Sequence, residues 1–264
     1  MKKIFILLFV LLLGATWSFA QTATTTTNTT DAPKVKDNGY GHRVNFGFTF
    51  APTIDWMYPK TEGTEMNGCG VGMRYGINLN INLTEKKNFY VSTGVFIEHL
   101  KGALKFTDIL SFPLPNNTYF LDTTEISRVY RPMYLTIPIG LTLKTNSMKD
   151  FFIVGNLGFY NSFLLNATNA DVYTFNNTLD GTTEYWSRSE VKSTEGALMK
   201  ESVYAGLGVE YSITKNFRAG LTLNYVHSLT NYFKGNRKAQ NNYSHLDQKA
   251  KFGYMEIALN INFL

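Results

Sequence analysis

Arg74, Glu98, Lys144, Glu210, Arg218 and Glu256 each follow directly on an apolar or aromatic residue: Met73, Ile97, Leu143, Val209, Phe217 and Met255. Desolvating a lone charge is costly, so such residues either form ion pairs away from water or line a path for protons or ions. The ion-pair reading is the simpler one. The histidines offer less. His227 and Ser228 are adjacent, so on an extended chain they point to opposite faces and cannot act as base and nucleophile. His99 has the same outward setting as His227, whereas His42 and His245 fall in a linker and a loop. No Gly-x-Ser-x-Gly elbow, His-Glu-x-x-His pair or phosphate loop is present. Neither a catalytic residue nor a cofactor is expected.

The elements carrying those charges alternate strictly. In Val71 to Leu83 the odd positions are Val, Met, Tyr, Ile, Leu, Ile and Leu, and the even ones are Gly, Arg, Gly and three Asn. That is a strand with one apolar and one polar face. The pattern recurs at Arg43–Trp56, Phe89–Leu100, Val129–Lys144, Phe151–Leu165, Ser202–Ile213, Phe217–Ser228 and Phe252–Phe263, and no stretch competes as an amphipathic helix. Tight turns at Thr84–Asn88, Thr145–Asp150 and Thr214–Asn216 alternate with long connections at Met57–Gly70, Lys101–Arg128, Asn166–Glu201 and Leu229–Lys251. Eight antiparallel strands with short turns at one end and long loops at the other have the layout of an up-and-down transmembrane β-barrel.

Residues 1–20 read as a cleaved Sec signal peptide: Lys2 and Lys3, an apolar run from Ile4 to Leu13, and Ser18-Phe19-Ala20 before the cut. Residues 21–41 are Thr-rich without apolar periodicity and are expected to be a disordered periplasmic leader, leaving 42–264 as the barrel domain. The formal charge of +5 falls to about +3 without Lys2 and Lys3 and is not clustered, which gives no case for nucleic-acid binding. Cys69 is the sole cysteine, so no intramolecular disulfide or Cys-based metal cluster can form. Mean hydropathy near zero is what any alternating chain yields, and does not argue against a membrane barrel.

Two barrels fit this pattern, with opposite faces outward. A soluble lipocalin-like ligand-binding barrel turns its apolar face in, whereas an outer-membrane barrel turns it to lipid. The polar face is rich in Gly and Asn, with only a few charges, which suits a narrow lumen better than a water-washed exterior. Phe89, Phe151, Tyr211, Phe217 and Phe263 all fall at the short-turn end of the apolar face, as an interfacial aromatic girdle would; Trp56, Phe159 and Tyr225 belong to an upper belt. If Leu83 faces Phe89, Arg74 lies opposite Glu98, with Glu256 joining them, and Lys144, Glu210 and Arg218 form a second layer nearer the periplasm. Pro138 cannot donate a ladder bond, so a bulge or local break is expected there.

Tyr134-Leu135-Thr136-Ile137-Pro138-Ile139-Gly140 resembles a strand of the small outer-membrane β-barrel families of Bacteroidota, including PorT-type proteins. Gly155–Tyr160, Ala205–Tyr211, Asn224-Tyr225 and Asn260–Phe263 fit the same resemblance. It implies an outer-membrane barrel of a Gram-negative bacterium; the founding member assists secretion across that membrane, but the family is broad and that role does not carry over with the resemblance. The expectation is therefore a nonenzymatic, side-chain-filled barrel in contact with outer-membrane lipid, serving as an envelope, secretion-associated or surface-binding component. Aromatic loops carrying Tyr119, Phe120, Tyr173 and Trp186 offer contacts to another envelope protein or a surface glycan. A soluble periplasmic binding barrel is the alternative, and a lipid-modifying enzyme the third reading.

Overall fold

The structure is a computed structural model and describes residues 44–263 apart from 85–87, 114–118, 147–149, 178–181, 215 and 235–248. The signal peptide, leader, His42 and His245 lie outside the described residues. Ten strands follow in order: β1 (Val44–Pro59), β2 (Thr64–Asn82), β3 (Phe89–His99), β4 (Gly102–Pro113), β5 (Tyr119–Lys144), β6 (Phe151–Asn177), β7 (Thr182–Lys192), β8 (Met199–Thr214), β9 (Phe217–Ser228) and β10 (Ala250–Phe263). Eight of them, β1-β2-β3-β5-β6-β8-β9-β10, pair antiparallel in a ring that closes where β10 meets β1. Closure leaves no open edge within the ring, which a membrane requires because lipid cannot satisfy unpaired backbone groups.

The alternation decides the faces. Along β1 every second residue is buried: Phe48 is 53% exposed on the outside, and Thr49 next to it is 6% exposed within. Phe46, Phe50, Ile77, Val95, Ile139, Leu157, Leu207 and Leu223 are likewise outward and half or more exposed, or nearly so. A soluble barrel would present this apolar exterior to water at large cost, so the lipocalin-like arrangement is excluded and the exterior is a lipid-facing surface.

Three of the long connections are not loops: within 57–70, β1 runs on to Pro59 and β2 begins at Thr64, leaving only residues 60–63 between the strands. Within 101–128, β4 and the first half of β5 form a hairpin, and within 166–201, β6 extends to Asn177 and pairs with β7. β4 takes the place of β3 between β2 and β5 beyond the barrel rim, giving an outer antiparallel sheet in the order β4-β5-β6-β7. A membrane crossing takes about 9–11 strand residues; β5 has 26 and β6 has 27, so more than half of each stands clear of the membrane. The sequence pattern fades there because no lipid demands an apolar face, while Thr, Tyr, Val and Ile still favour extended chain.

Irregularities are local. Between Thr93↔Ile139 and Phe96↔Thr136 the β3–β5 ladder skips two pairs without changing register, so Pro138 makes a gap rather than a bulge. Pro52 makes a matching gap between β1 and β10. A true bulge lies higher: Met133 pairs with Asn166 but Tyr134 with Leu164, leaving Leu165 as an extra residue. Below it the even residues of β6, such as Tyr160 and Ser162, are buried; above it the odd ones, Ala167, Asn169 and Asp171, are. Gly140 and Gly158 face each other across β5 and β6, where the Tyr204 ring lies; a Cβ on Gly158 would stand 2.9 Å from that ring.

Candidate functional site

The lumen is filled in layers. Nearest the short turns, Lys144 Nζ meets Glu210 Oε2 at 2.6 Å and Arg218 reaches Glu210 Oε1 at 3.4 Å. Lys144 stands 5.0 Å from the Tyr90 ring centre, and Arg218 4.8 Å from that of Phe152. Above them, Asn and hydroxyl side chains bond round the wall: Asn78 donates to Thr49 (3.1 Å) and Ser92 donates to Asn80 (2.7 Å). They line a polar cavity of about 90 Å³.

The charges in the middle of the lumen divide into two clusters. Arg74 donates to both oxygens of Glu256 (2.8 and 2.6 Å), which also accepts from Tyr160 (3.0 Å) and Asn224 (2.7 Å). The guanidinium is sandwiched between Phe96 and Tyr160, 4.5 and 4.7 Å from their centres. Glu98 accepts from Lys200 Nζ (2.7 Å), Thr136 (3.2 Å) and the Tyr254 hydroxyl. Arg74 and Glu98 are indeed cross-strand partners in register, yet Arg74 bonds across the lumen to Glu256 because Lys200 and Tyr254 occupy Glu98. Lys200 was not among the expected lumen charges. It stands two residues before the Ser202 start read from the sequence, and the Lys200-Ser202-Tyr204 alternation was the signal that could have found it. Both carboxylates are fully buried, so each depends on these donors.

Toward the outside, Met57, Tyr130, Tyr134, Val226, Phe252 and Tyr254 close the bore as an apolar core. Tyr232 and Phe233, from the connection after β9, pack on it, with ring centres 5.5 and 5.3 Å from Tyr130. Burial raises the Tyr232 hydroxyl well above the phenol range.

Arg128 ties the outer sheet together. It holds Asp171 through two bonds (2.6 and 2.9 Å), reaches Glu195 at 3.2 Å and lies over Phe106. Tyr119 and Phe120, expected in a loop, belong to β5 opposite Pro113 and Phe112. Tyr173, also expected in a loop, lies in β6 opposite Ile126 and Trp186 and donates to Asp171 (3.0 Å). Trp186, on β7, is exposed beside Tyr185, and among the described residues β7 pairs only with β6. Cys69 is an exposed free thiol in β2 opposite Gly102. At the other end, Phe151 and Tyr211 pack at 4.7 Å and Phe263 contacts Phe217 (5.5 Å) and Phe46 (5.3 Å), while Phe89 stands half-exposed on its strand. His227 faces outward with its ring tilted against Tyr58 (5.6 Å), whereas Ser228 is buried and bonded to Ser202 (3.1 Å).

No family model matches the chain, and no curated protein matches it. Solved structures similar to it include Ail of Yersinia pestis in complex with the heparin analogue sucrose octasulfate (12% identity, 84% of this chain and 100% of that one, TM-score 0.31). Others are Neisserial surface protein A (10%, 84% and 97%, 0.37) and the outer-membrane protease OmpT of Escherichia coli (11%, 83% and 96%, 0.37). At these scores the likeness transfers no role. The closed ring and its lipid-facing belt make this chain an up-and-down barrel of the outer-membrane type, resident in that membrane.

Proposed function

We propose that this chain is a nonenzymatic outer-membrane protein that works through the sheet it raises above the membrane, as a secretion-associated, envelope or surface-binding component, and not as a solute pore. The carrying observation is the filled lumen. Two charge layers and a tyrosine-rich stopper occupy a bore that eight strands make only wide enough for side chains. The outer sheet, with Tyr185 and Trp186 exposed on β7, is the surface available to a protein or glycan. Reconstitution in planar bilayers tests the reading: the protein should insert without a stable conductance step, and reproducible open channels at low voltage would refute it.

A further inference from the structure

We propose that the barrel's outer surface binds the phosphate-bearing headgroup of an outer-leaflet lipid, in the notch where β3 ends and the outer sheet begins. β3 stops at His99, paired with Met73 on one side and Met133 on the other. β4 starts at Gly102 and takes over its place between β2 and β5. Leu100 and Lys101 make the handover, and a notch of about 300 Å³ opens beside them. Its walls are apolar, with Val71, Met73 and Leu100; its nitrogen-bearing side chains are His99, Lys101 and Arg131, and no acidic residue lines it.

The height of the notch identifies the occupant. Ten residues separate Phe89 in the lower girdle from His99, as they separate Phe46 from Trp56 and Phe217 from His227. At about 3.3 Å per residue and a tilt of about 40°, ten residues rise about 25 Å, the height of the apolar band of a membrane barrel. His99 stacks on Tyr75 at 6.0 Å, and Trp56 on Tyr225 at 6.3 Å, as rings at an interface do. The notch therefore opens sideways at the level of the outer lipid headgroups.

The chemistry fits an anion with a greasy attachment. Lysine offers a point charge and arginine a fork of donors, the pair that phosphate oxygens accept from best. Arg131 also meets the Glu190 carboxylate, but both side chains are about half exposed, and such a pair is weak and leaves other guanidinium donors for a ligand. The Lys101 backbone N–H donates to the buried Asp55 (2.8 Å), which anchors the stretch from which its side chain projects. The exposed Val71 and Met73 continue the apolar wall toward the lipid-facing surface. A free phosphate would gain nothing from that wall, whereas a phosphorylated lipid would gain on both counts.

This inference rests on the outer-membrane reading, and the test separates the two. The detergent-purified full chain is titrated with bis-phosphorylated lipid A, and in parallel with the same lipid after dephosphorylation, and bound lipid is read by native mass spectrometry. A one-to-one adduct should form with the phosphorylated lipid and weaken about tenfold or more in K101Q/R131Q, through loss of two charge-assisted contacts. Val71→Trp, which fills the notch but keeps the charges, should weaken it as well. Equal adducts with the dephosphorylated lipid, or undiminished binding by both variants, would overturn the site. Displacement by millimolar inorganic phosphate would overturn a lipid as the occupant. Heat-modifiable gel migration, followed on every sample, reports the folded barrel independently; its absence in the unsubstituted protein would overturn the membrane reading itself.

Discussion

Replacing Arg74 by Met tests whether the lumen charges stabilise the barrel as pairs. Arg74 gives Glu256 two charged donors at 2.8 and 2.6 Å, and the pair is sealed: their side chains are 5% and 0% exposed. Met keeps the packing between Phe96 and Tyr160 but removes both bonds, leaving Glu256 with the neutral donors of Tyr160 and Asn224. Removing one partner of a buried pair costs about 3–5 kcal/mol, because the remaining charge keeps its desolvation penalty. The two remaining donors place R74M at the low end, about 3 kcal/mol, which for a chain of this size corresponds to a fall in Tm of about 6–12 °C. The assay is heat-modifiable migration, or urea unfolding in lipid vesicles followed by tryptophan fluorescence. The double variant R74M/E256Q separates pairing from size: with the stranded charge gone, half or more of the loss should return. A single variant within about 1 kcal/mol of the parent, or a double variant as unstable as the summed singles, would refute the argument.

Three other outcomes follow from the same structure. Leu207→Arg places a charge on the lipid face about midway between the rims and should destabilise the folded barrel by about 2–4 kcal/mol in vesicles, whereas Ser187→Arg on the exposed part of β7 should be neutral; equal effects would contradict the assignment of lipid-facing and water-facing regions. Gly158→Val drives a side chain against Gly140 and the Tyr204 ring and should cost about 1–3 kcal/mol by overpacking, read from the urea midpoint; an unchanged midpoint would mean the ring is not held there. Cys69, exposed at the loop end of β2, should react with a membrane-impermeant maleimide on intact cells; labelling only after permeabilisation would mean the barrel is inserted the other way up.

The ring itself was legible because lipid enforces the alternation residue by residue: most outward Phe, Ile or Leu residues have a small or polar neighbour inside, as in Phe48 and Thr49. Above the membrane that selection lapses. Thr182–Lys192, with Glu184, Arg188, Glu190 and Lys192, carries no apolar stripe and reads as loop, yet its backbone pairs with β6 over most of its length. Cross-strand register was also within reach, since a short turn fixes it; Arg74 opposite Glu98 follows from Leu83 facing Phe89. What register could not give is which charge meets which across the bore. That depends on side-chain reach and on competitors such as Lys200 and Tyr254, which come from strands far along the chain. The notch at His99, Lys101 and Arg131 was hidden for a similar reason, because it exists only where a later hairpin replaces β3 beside β2.

The extra residue at Leu165 sits where β6 leaves the barrel, and the side of the chain that turns inward changes there from even to odd numbers. The barrel below and the display surface above are therefore set by separate counts along one continuous strand. Losing Leu165 would close the ladder into a regular one, with Asn166 next after Leu164 and still opposite Met133, and with Ala167, Asn169 and Asp171 still turned inward. One residue can thus be lost where the membrane-embedded and raised halves of β6 meet, with the inward face of each half kept.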